Sequence, residues 1–230
     1  MNSLIKISNL SKSFGDQKKI KVLKKISFNF KKGKIYSLMG PSGSGKTTLL
    51  NLLSLIDRPN SGSIIIQKNK INFKEKNKND FLRAKKIGII YQQDNLLNDF
   101  TALENIYLSG LAVGESKKYS IDRAKYLLKK FKILNRSSHY PYQLSGGEKQ
   151  RVSIARAIIN NPEIILADEP TGSLDFETAR KVFQLLRDQL NPNRIIIFAT
   201  HNRFFAKKSD YLLEIVNGSI KTVNDWHKKY

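Results

Sequence analysis

The sequence predicts an α/β fold with a mostly parallel sheet, an N-terminal antiparallel β portion and an inserted α-helical subdomain. Three observations carry that prediction. Segments rich in β-branched and aromatic residues recur with helical patterns between several of them, the alternation that parallel sheets produce. A short apolar strand, Ile35 to Met39, runs straight into the stretch Gly40-Pro41-Ser42-Gly43-Ser44-Gly45-Lys46-Thr47-Thr48. From about Thr101 to Asn160 the pattern changes to one helix after another. With 230 residues, 40% of them hydrophobic, the chain can bury a sheet within one domain.

Taken in order, Leu4 to Ser8 and Lys25 to Phe30 read as strands with no helix between them. Ile26, Phe28 and Phe30 alternate with polar partners, which argues for antiparallel pairing with one face buried. Ile35 to Met39 leads through the glycine-rich loop into a helix starting near Gly45. Gly62 to Gln67 is a further strand, and the Lys/Asn-rich stretch from Lys68 to Asn79 is expected to be a surface loop. Ile87 to Tyr91 is again strand-like. Thr101 and Glu104 form a capping box that opens a helix through Leu103, Ile106, Tyr107 and Leu111. Ile121, Ala124, Leu127, Leu128 and Phe131 give a second helix, from Ser120 to Lys132, its apolar face. Ser145 and Glu148 form another capping box, before Arg151, Ile154, Ala155 and Ile158. Glu163 to Ala167, Arg194 to Ala199 and Tyr211 to Val216 complete the strands, and Asn217-Gly218 turns the last into a hairpin with Ser219 to Val223. The expected organisation is a single domain over residues 1–230. Residues 1–93 and 161–230 form the α/β core with its β portion, and about 94–160 form the helical subdomain.

Composition narrows the function. There is no cysteine, so disulfide frameworks and thiolate metal sites are excluded. The N-terminus lacks the pattern of a secretion signal, and no stretch approaches the ~20 apolar residues of a membrane-spanning helix, so the chain is expected to be soluble by itself. The formal charge is +22, yet lysine far outnumbers arginine and is spread along the chain in pairs such as Lys24-Lys25, Lys85-Lys86 and Lys129-Lys130. Nucleic-acid faces cluster Arg and Lys with aromatics, so a nucleic-acid partner is disfavoured and attraction to an anionic membrane surface is the better reading.

The chemistry resides in motifs at the ends of strands. The loop Gly40 to Thr48 lets successive backbone N–H groups point at phosphates, assisted by the positive end of the following helix. Lys46 reaches the β- and γ-phosphates and the Thr47 hydroxyl ligates Mg²⁺, which makes ATP or GTP the expected ligand and the core that of a P-loop NTPase. Asp168 and Glu169 end an apolar strand at the edge where open α/β sheets bind ligands. Asp168 suits the Mg²⁺ and Glu169 an attacking water. His201 follows another strand end and can sense or stabilise charge on the γ-phosphate. Gln92, after the strand through Tyr91, can touch Mg²⁺ or the lytic water, with Gln93 its competitor and the register favouring Gln92. His139 and His227 are read as surface or packing residues. Leu144-Ser145-Gly146-Gly147-Glu148-Lys149-Gln150 is a capped helix N-terminus and a second anion site. Its economical role is to serve the nucleotide of another copy.

Together these residues resemble the ATP-binding-cassette ATPases, the motor subunits of ABC transporters, over essentially the whole chain. Gly40 to Thr47 is similar to the Walker A loop, Leu144 to Gln150 to the signature, and Ile164 to Glu169 to Walker B with its catalytic glutamate. Ser173-Leu174-Asp175 resembles the D-loop, Gln92 the Q-loop and His201 the switch histidine. Phe14 falls where the family places an adenine-stacking aromatic, usually a tyrosine. The resemblance implies a head-to-tail homodimer sandwiching two ATP molecules, each between one Walker A loop and the other copy's Ser145, Gly146 and Gly147, and it implies integral-membrane permease partners. The run Gly88 to Ile106, with Asp99-Phe100-Thr101-Ala102-Leu103-Glu104-Asn105 its sharpest part, is similar to ATPases of lipoprotein-releasing transporters. That group includes macrolide-export and cell-division relatives and works at the cytoplasmic face of the bacterial inner membrane. It departs at Gln93, Asp94 and Asn98. The alternative reading is the ATPase of another ABC system, a macrolide-type exporter, a cell-division complex or an amino-acid importer, and less favoured is a nucleic-acid-associated ABC ATPase. A DNA-repair or chromosome-organising relative would carry a long coiled coil between Lys46 and Ser145, and a translation factor two cassettes; this sequence has neither.

Overall fold

A computed structural model describes residues 3–15 and 19–223. His227 lies outside the described residues. The chain divides into two compact units, one formed by residues up to Asp80 together with those from Leu190 onward, the other by Phe81–Gln189.

In the first unit, β1 (Ser3–Phe14) pairs antiparallel with β2 (Ile20–Lys31) on one side and with β4 (Ser61–Ile66) on the other, and the two-residue β5 (Asn69–Lys70) extends the edge. Leu4, Ile5, Ile7 and Leu10 of β1 and Leu23, Ile26 and Phe30 of β2 are buried, so the alternation in β2 corresponds to a covered and an open face. A separate arrangement is parallel. The strand β3 (Lys34–Met39) lies between β8 (Ile195–Ala199) and β9 (Tyr211–Val216), paired parallel to each. Every residue of β8 is buried, as expected of strands covered on both faces. The strand β9 turns back antiparallel into β10 (Ser219–Thr222) through Asn217 (φ 51°) and Gly218 (φ 79°), the two positive dihedrals of the favoured two-residue hairpin. Phe28, Phe30, Tyr36 and Tyr211 form an aromatic cluster, and the Tyr36 hydroxyl accepts the Lys31 N–H at 2.7 Å. Burial pushes the Tyr36 phenol up to about 12, so it stays protonated and uncharged in the core. The helix α1 (Lys46–Leu53) buries Leu49, Leu50, Leu52 and Leu53, each contributing about 1.5–3 kcal/mol of transfer free energy.

The stretch expected to be a loop after Lys68 instead contains β5 and the start of α2 (Lys76–Lys86), which carries the chain into the second unit. The sequence hides this helix because Asn79 is its one buried residue, so it has no apolar stripe to reveal it. Asn79 donates to the Asn72 carbonyl at 2.9 Å, and Asn72 bonds Glu75 at 2.8 Å.

The second unit holds the parallel pair β6 (Ile87–Ile90) and β7 (Ile164–Asp168), with α3 (Ala102–Leu111), α4 (Lys117–Lys130), α5 (Gly146–Ile158) and α6 (Phe176–Arg187). The helix α4 begins three residues before the expected start because Ser116 caps it, accepting the Tyr119 N–H at 3.2 Å. It ends at Lys130, with Phe131 as its C-cap. The short helix α7 (Arg203–Ala206) belongs to the first unit. Among the described residues no helix is long and apolar enough to cross a membrane.

Candidate functional site

The register of the parallel strands sets the first cluster. Leu38 pairs with Ala199, and the Thr200 N–H donates to the Leu38 carbonyl at 3.0 Å. The chain therefore leaves β3 into Gly40 and leaves β8 into His201 at the same C-terminal edge. Between Gly40 and Lys46 the backbone must curl tightly. Gly40 has φ 141°, and a Cβ there would stand 2.5 Å from the Ile215 carbonyl oxygen and 2.8 Å from Ser44 Oγ. Gly45 adopts a left-handed conformation (φ 105°, ψ 14°) as the N-cap of α1 and supplies no side-chain cap. The positive end of α1 therefore opens onto the loop with no side chain capping it.

The loop gathers polar groups suited to an anion. The Lys46 ammonium crosses it, donating to the Gly40 carbonyl at 2.9 Å and the Pro41 carbonyl at 3.1 Å. The Ser44 hydroxyl is buried and has no hydrogen-bond partner among the described residues. At Gly43 (φ 74°) a side chain would meet nothing within 4 Å, so the mouth of the loop is open. A buried cation head, an orphaned Ser44 hydroxyl and a helix N-terminus without a side-chain cap, beside open space, fit a polyphosphate. Pro41, Ser42 and Thr47 are exposed and Thr48 is half-buried, with the Thr47 hydroxyl available as a hard oxygen donor. His201 is exposed, and the neighbouring Asn202 caps α7. Phe14 ends β1 and is 47% exposed with the Lys12 ammonium 4.9 Å above its ring, so it is a surface aromatic and not a core residue.

The second cluster lies at the C-terminal edge of β6 and β7, where Ile90 pairs with Ala167. Asp168 ends β7, half-buried. Glu169 follows with φ 45°, in the left-handed region that a glutamate adopts only under constraint. The Gly172 N–H closes the turn on the Glu169 carbonyl at 3.0 Å. The position a Gly172 Cβ would take lies 3.4 Å from Glu169 Cβ and 3.5 Å from Gln92 Nε2, so the Gln92 amide and the Glu169 side chain flank one point.

The third piece is the N-terminus of α5. Ser145 Oγ accepts the Glu148 N–H at 3.3 Å while Glu148 Oε2 accepts the Ser145 N–H at 2.9 Å, the reciprocal box expected from sequence. Burial pushes the Glu148 carboxyl up, but the Ser145 N–H and the Arg136 guanidinium, 2.8 Å from Oε1, outweigh it and hold the group below the ordinary glutamate value. Gly146 and Gly147 allow a close approach: Cβ atoms there would stand 3.2 Å from Leu174 and 2.5 Å from Thr178. The segment after Glu169 thus packs on the N-terminus of α5. Asp175 caps α6, accepting the Thr178 N–H at 3.0 Å; hydrogen bonding from the Thr178 side chain, and then from this N–H, holds its carboxyl below the ordinary aspartate value. His139 is a packing residue whose carbonyl accepts the Ala102 N–H.

Sequence reasoning missed the side chains that hold these loops. Arg156 and Gln150 on α5 donate to backbone carbonyls of the segment following β6. Asn105 is buried, accepts the Leu97 N–H at 2.7 Å and donates to the Leu97 and Phe100 carbonyls. The signal for Arg156 was a cation interrupting the apolar side of α5 between Ala155 and Ile159. In the same unit an open cavity of about 270 Å³ is lined by Arg83, Gly88, Tyr91, Asn95, Arg156 and Asn160, among others.

Comparison with known proteins places the arrangement. Residues 23–172 match the family described as "ABC transporter". The chain is 41% identical over 228 residues to the lipoprotein-releasing system ATP-binding protein LolD of Ehrlichia ruminantium (strain Gardel), covering 98% of this chain and all of that protein. It is 40% identical over 219 residues to the macrolide export ATP-binding/permease protein MacB of Mannheimia succiniciproducens, covering 95% of this chain and 34% of that one. A dimeric, post-hydrolysis structure of the ATP-binding cassette MJ0796 bound to ADP and Pi superposes with TM-score 0.87 at 36% identity, over 94% of this chain and 96% of that one.

Proposed function

The chain belongs to the ABC transporter family of ATP-hydrolysing P-loop enzymes, and from that premise we propose that it is the motor subunit of a bacterial lipoprotein-releasing transporter. The observation that carries the cargo assignment is the 41% identity spanning the whole of a lipoprotein-releasing ATP-binding protein. Macrolide export is the second reading, supported by the 40% identity to a protein that fuses such a cassette to a permease.

The residue roles follow from the chemistry of each group. Lys46 exchanges its bonds to the Gly40 and Pro41 carbonyls for the β- and γ-phosphate oxygens, and the amides and hydroxyls from Gly40 to Thr48 bind the remaining phosphate oxygens. Phe14 stacks on the adenine. Thr47, Asp168 and Gln92 are oxygen donors suited to Mg²⁺, which neutralises phosphate charge when bound. Glu169 orients and deprotonates the attacking water, and His201 stabilises charge on the transferred phosphoryl group. Ser145, Gly146 and Gly147 of a second copy close over the same triphosphate, with Asp175 at that junction, and the dimeric MJ0796 cassette supports such a pairing. The helical subdomain spans about residues 94–160. The groove lined by Tyr91 and Arg156 takes a cytoplasmic segment of the permease at the inner face of the inner membrane, and the +22 charge adds attraction to the anionic leaflet.

Reconstitution with the cognate permease tests this reading. Release of a lipoprotein from proteoliposomes is expected to require ATP and to stop in Lys46→Ala. ATP-dependent export of a macrolide with no lipoprotein release would transfer the assignment to the second reading.

A further inference from the structure

Gln92 begins a segment whose backbone is tied at several points to two helices. Gln150 Nε2 donates to the Tyr91 carbonyl at 3.4 Å, Arg156 Nη2 to the Asp94 carbonyl at 2.7 Å and Arg156 Nη1 to the Asn95 carbonyl at 2.6 Å. At the far end Asn105 on α3 holds Leu97 and Phe100. Arg156 is half-buried on the helix that Ser145 caps, about three turns along it. Two carbonyls of consecutive residues match the fixed fork of a guanidinium and not the point charge of an ammonium. Burial lowers the Arg156 pKa from its ordinary value, and the group nevertheless stays charged, so its donors are always present. The Asp94 carboxylate accepts the Leu96 N–H at 3.2 Å, a further tie within the same segment.

We propose that Arg156 is a positioning residue for Gln92, fixing the segment after β6 so that the Gln92 amide stays beside Glu169 and moves as α5 moves. The proposal rests on the reading that Gln92 and Glu169 serve ATP hydrolysis. The signature end of α5 and the Gln92 amide then form one mechanical body, so a nucleotide engaging Ser145 adjusts the hydrolytic residues through the guanidinium fork.

A double-mutant cycle tests it. Arg156→Met is expected to lower kcat about tenfold with the KM for ATP within about twofold, since the Lys46 loop is untouched. In a Gln92→Ala background the same substitution is expected to change kcat by less than about twofold, because a residue that acts through Gln92 then has nothing to position. Losses that multiply instead, or parent-level turnover in Gln92→Ala, overturn the proposal. If Arg156→Met does not fold, Arg156→Lys, which reaches one carbonyl, is expected to give a smaller loss of about threefold with the same cancellation. ATP-driven dimerisation keeps the two levels apart. Its absence in Glu169→Gln alone counts against the underlying reading, whereas its absence solely in Glu169→Gln/Arg156→Met gives Arg156 a general structural role and overturns the inference.

Discussion

Glu169 stands where the backbone prefers glycine. Its φ of 45° costs about 1–2 kcal/mol, and the turn closed by Gly172 on its carbonyl maintains it. Glu169→Gly is expected to abolish turnover while stabilising the protein. Relief of strain, offset in part by the greater unfolded freedom of glycine, leaves roughly 1 kcal/mol, or about 2–4 °C in Tm by calorimetry. A fall in Tm would mean that the carboxylate is more useful to the fold than its dihedral suggests. Lys46 makes the complementary case. Its bonds to Gly40 and Pro41 go to neutral carbonyls, whereas the proposed bonds to phosphate are charge-assisted at both ends and worth about 1.5–3 kcal/mol. Lys46→Ala is therefore expected to weaken ATP binding roughly 10- to 100-fold by calorimetric titration, with an unchanged circular dichroism spectrum. At this scale the sequence was informative about the tight turn after β3, because the glycines of Gly40 to Gly45 mark a backbone with positive φ. The strain at Glu169 was illegible, since nothing in a glutamate announces a left-handed backbone.

Among the elements, the capped helices were the most readable and the polar ones the least. Thr101 with Glu104 and Ser145 with Glu148 form the boxes their spacing foretold. The helix α2 escaped because it turns almost no apolar side chain inward. The boxes make a pH prediction. The Thr101 N–H and hydroxyl hold the Glu104 carboxyl below the ordinary glutamate value. A group depressed on folding contributes stability that is complete above its unfolded pKa and is lost as pH falls through the folded one. The start of α3 is thus expected to loosen as pH drops below the ordinary glutamate range of about 4.3. Glu104→Gln should flatten that acid limb in a pH series of denaturant melts, with little change at neutral pH. An unchanged acid limb would remove Glu104 as its source. Thr101→Ala is expected to cost about 1 kcal/mol in the same melts.

For the molecule as a whole, the sequence predicted an α/β core with antiparallel and parallel parts, and the strands pair accordingly. What it could not supply was the network between elements. Arg156, Gln150 and Asn105 bond to backbone carbonyls, which every residue carries, so no side-chain spacing advertises their partners. The +22 charge belongs to this scale as well. The chain is expected to sediment with vesicles containing anionic phospholipid at low salt and to be released near 0.5 M, where the screening length falls to about 4 Å. Equal binding to neutral vesicles would dissociate the charge from the membrane. The central claim concerns two copies. The 26.3 kDa Glu169→Gln chain, its mass measured by light scattering on a sizing column with saturating ATP and Mg²⁺, is expected to double in mass, and Glu169→Gln/Lys46→Ala to remain single. A Glu169→Gln chain that stays at 26.3 kDa under saturating ATP, with its permease present as well as without it, would contradict the account.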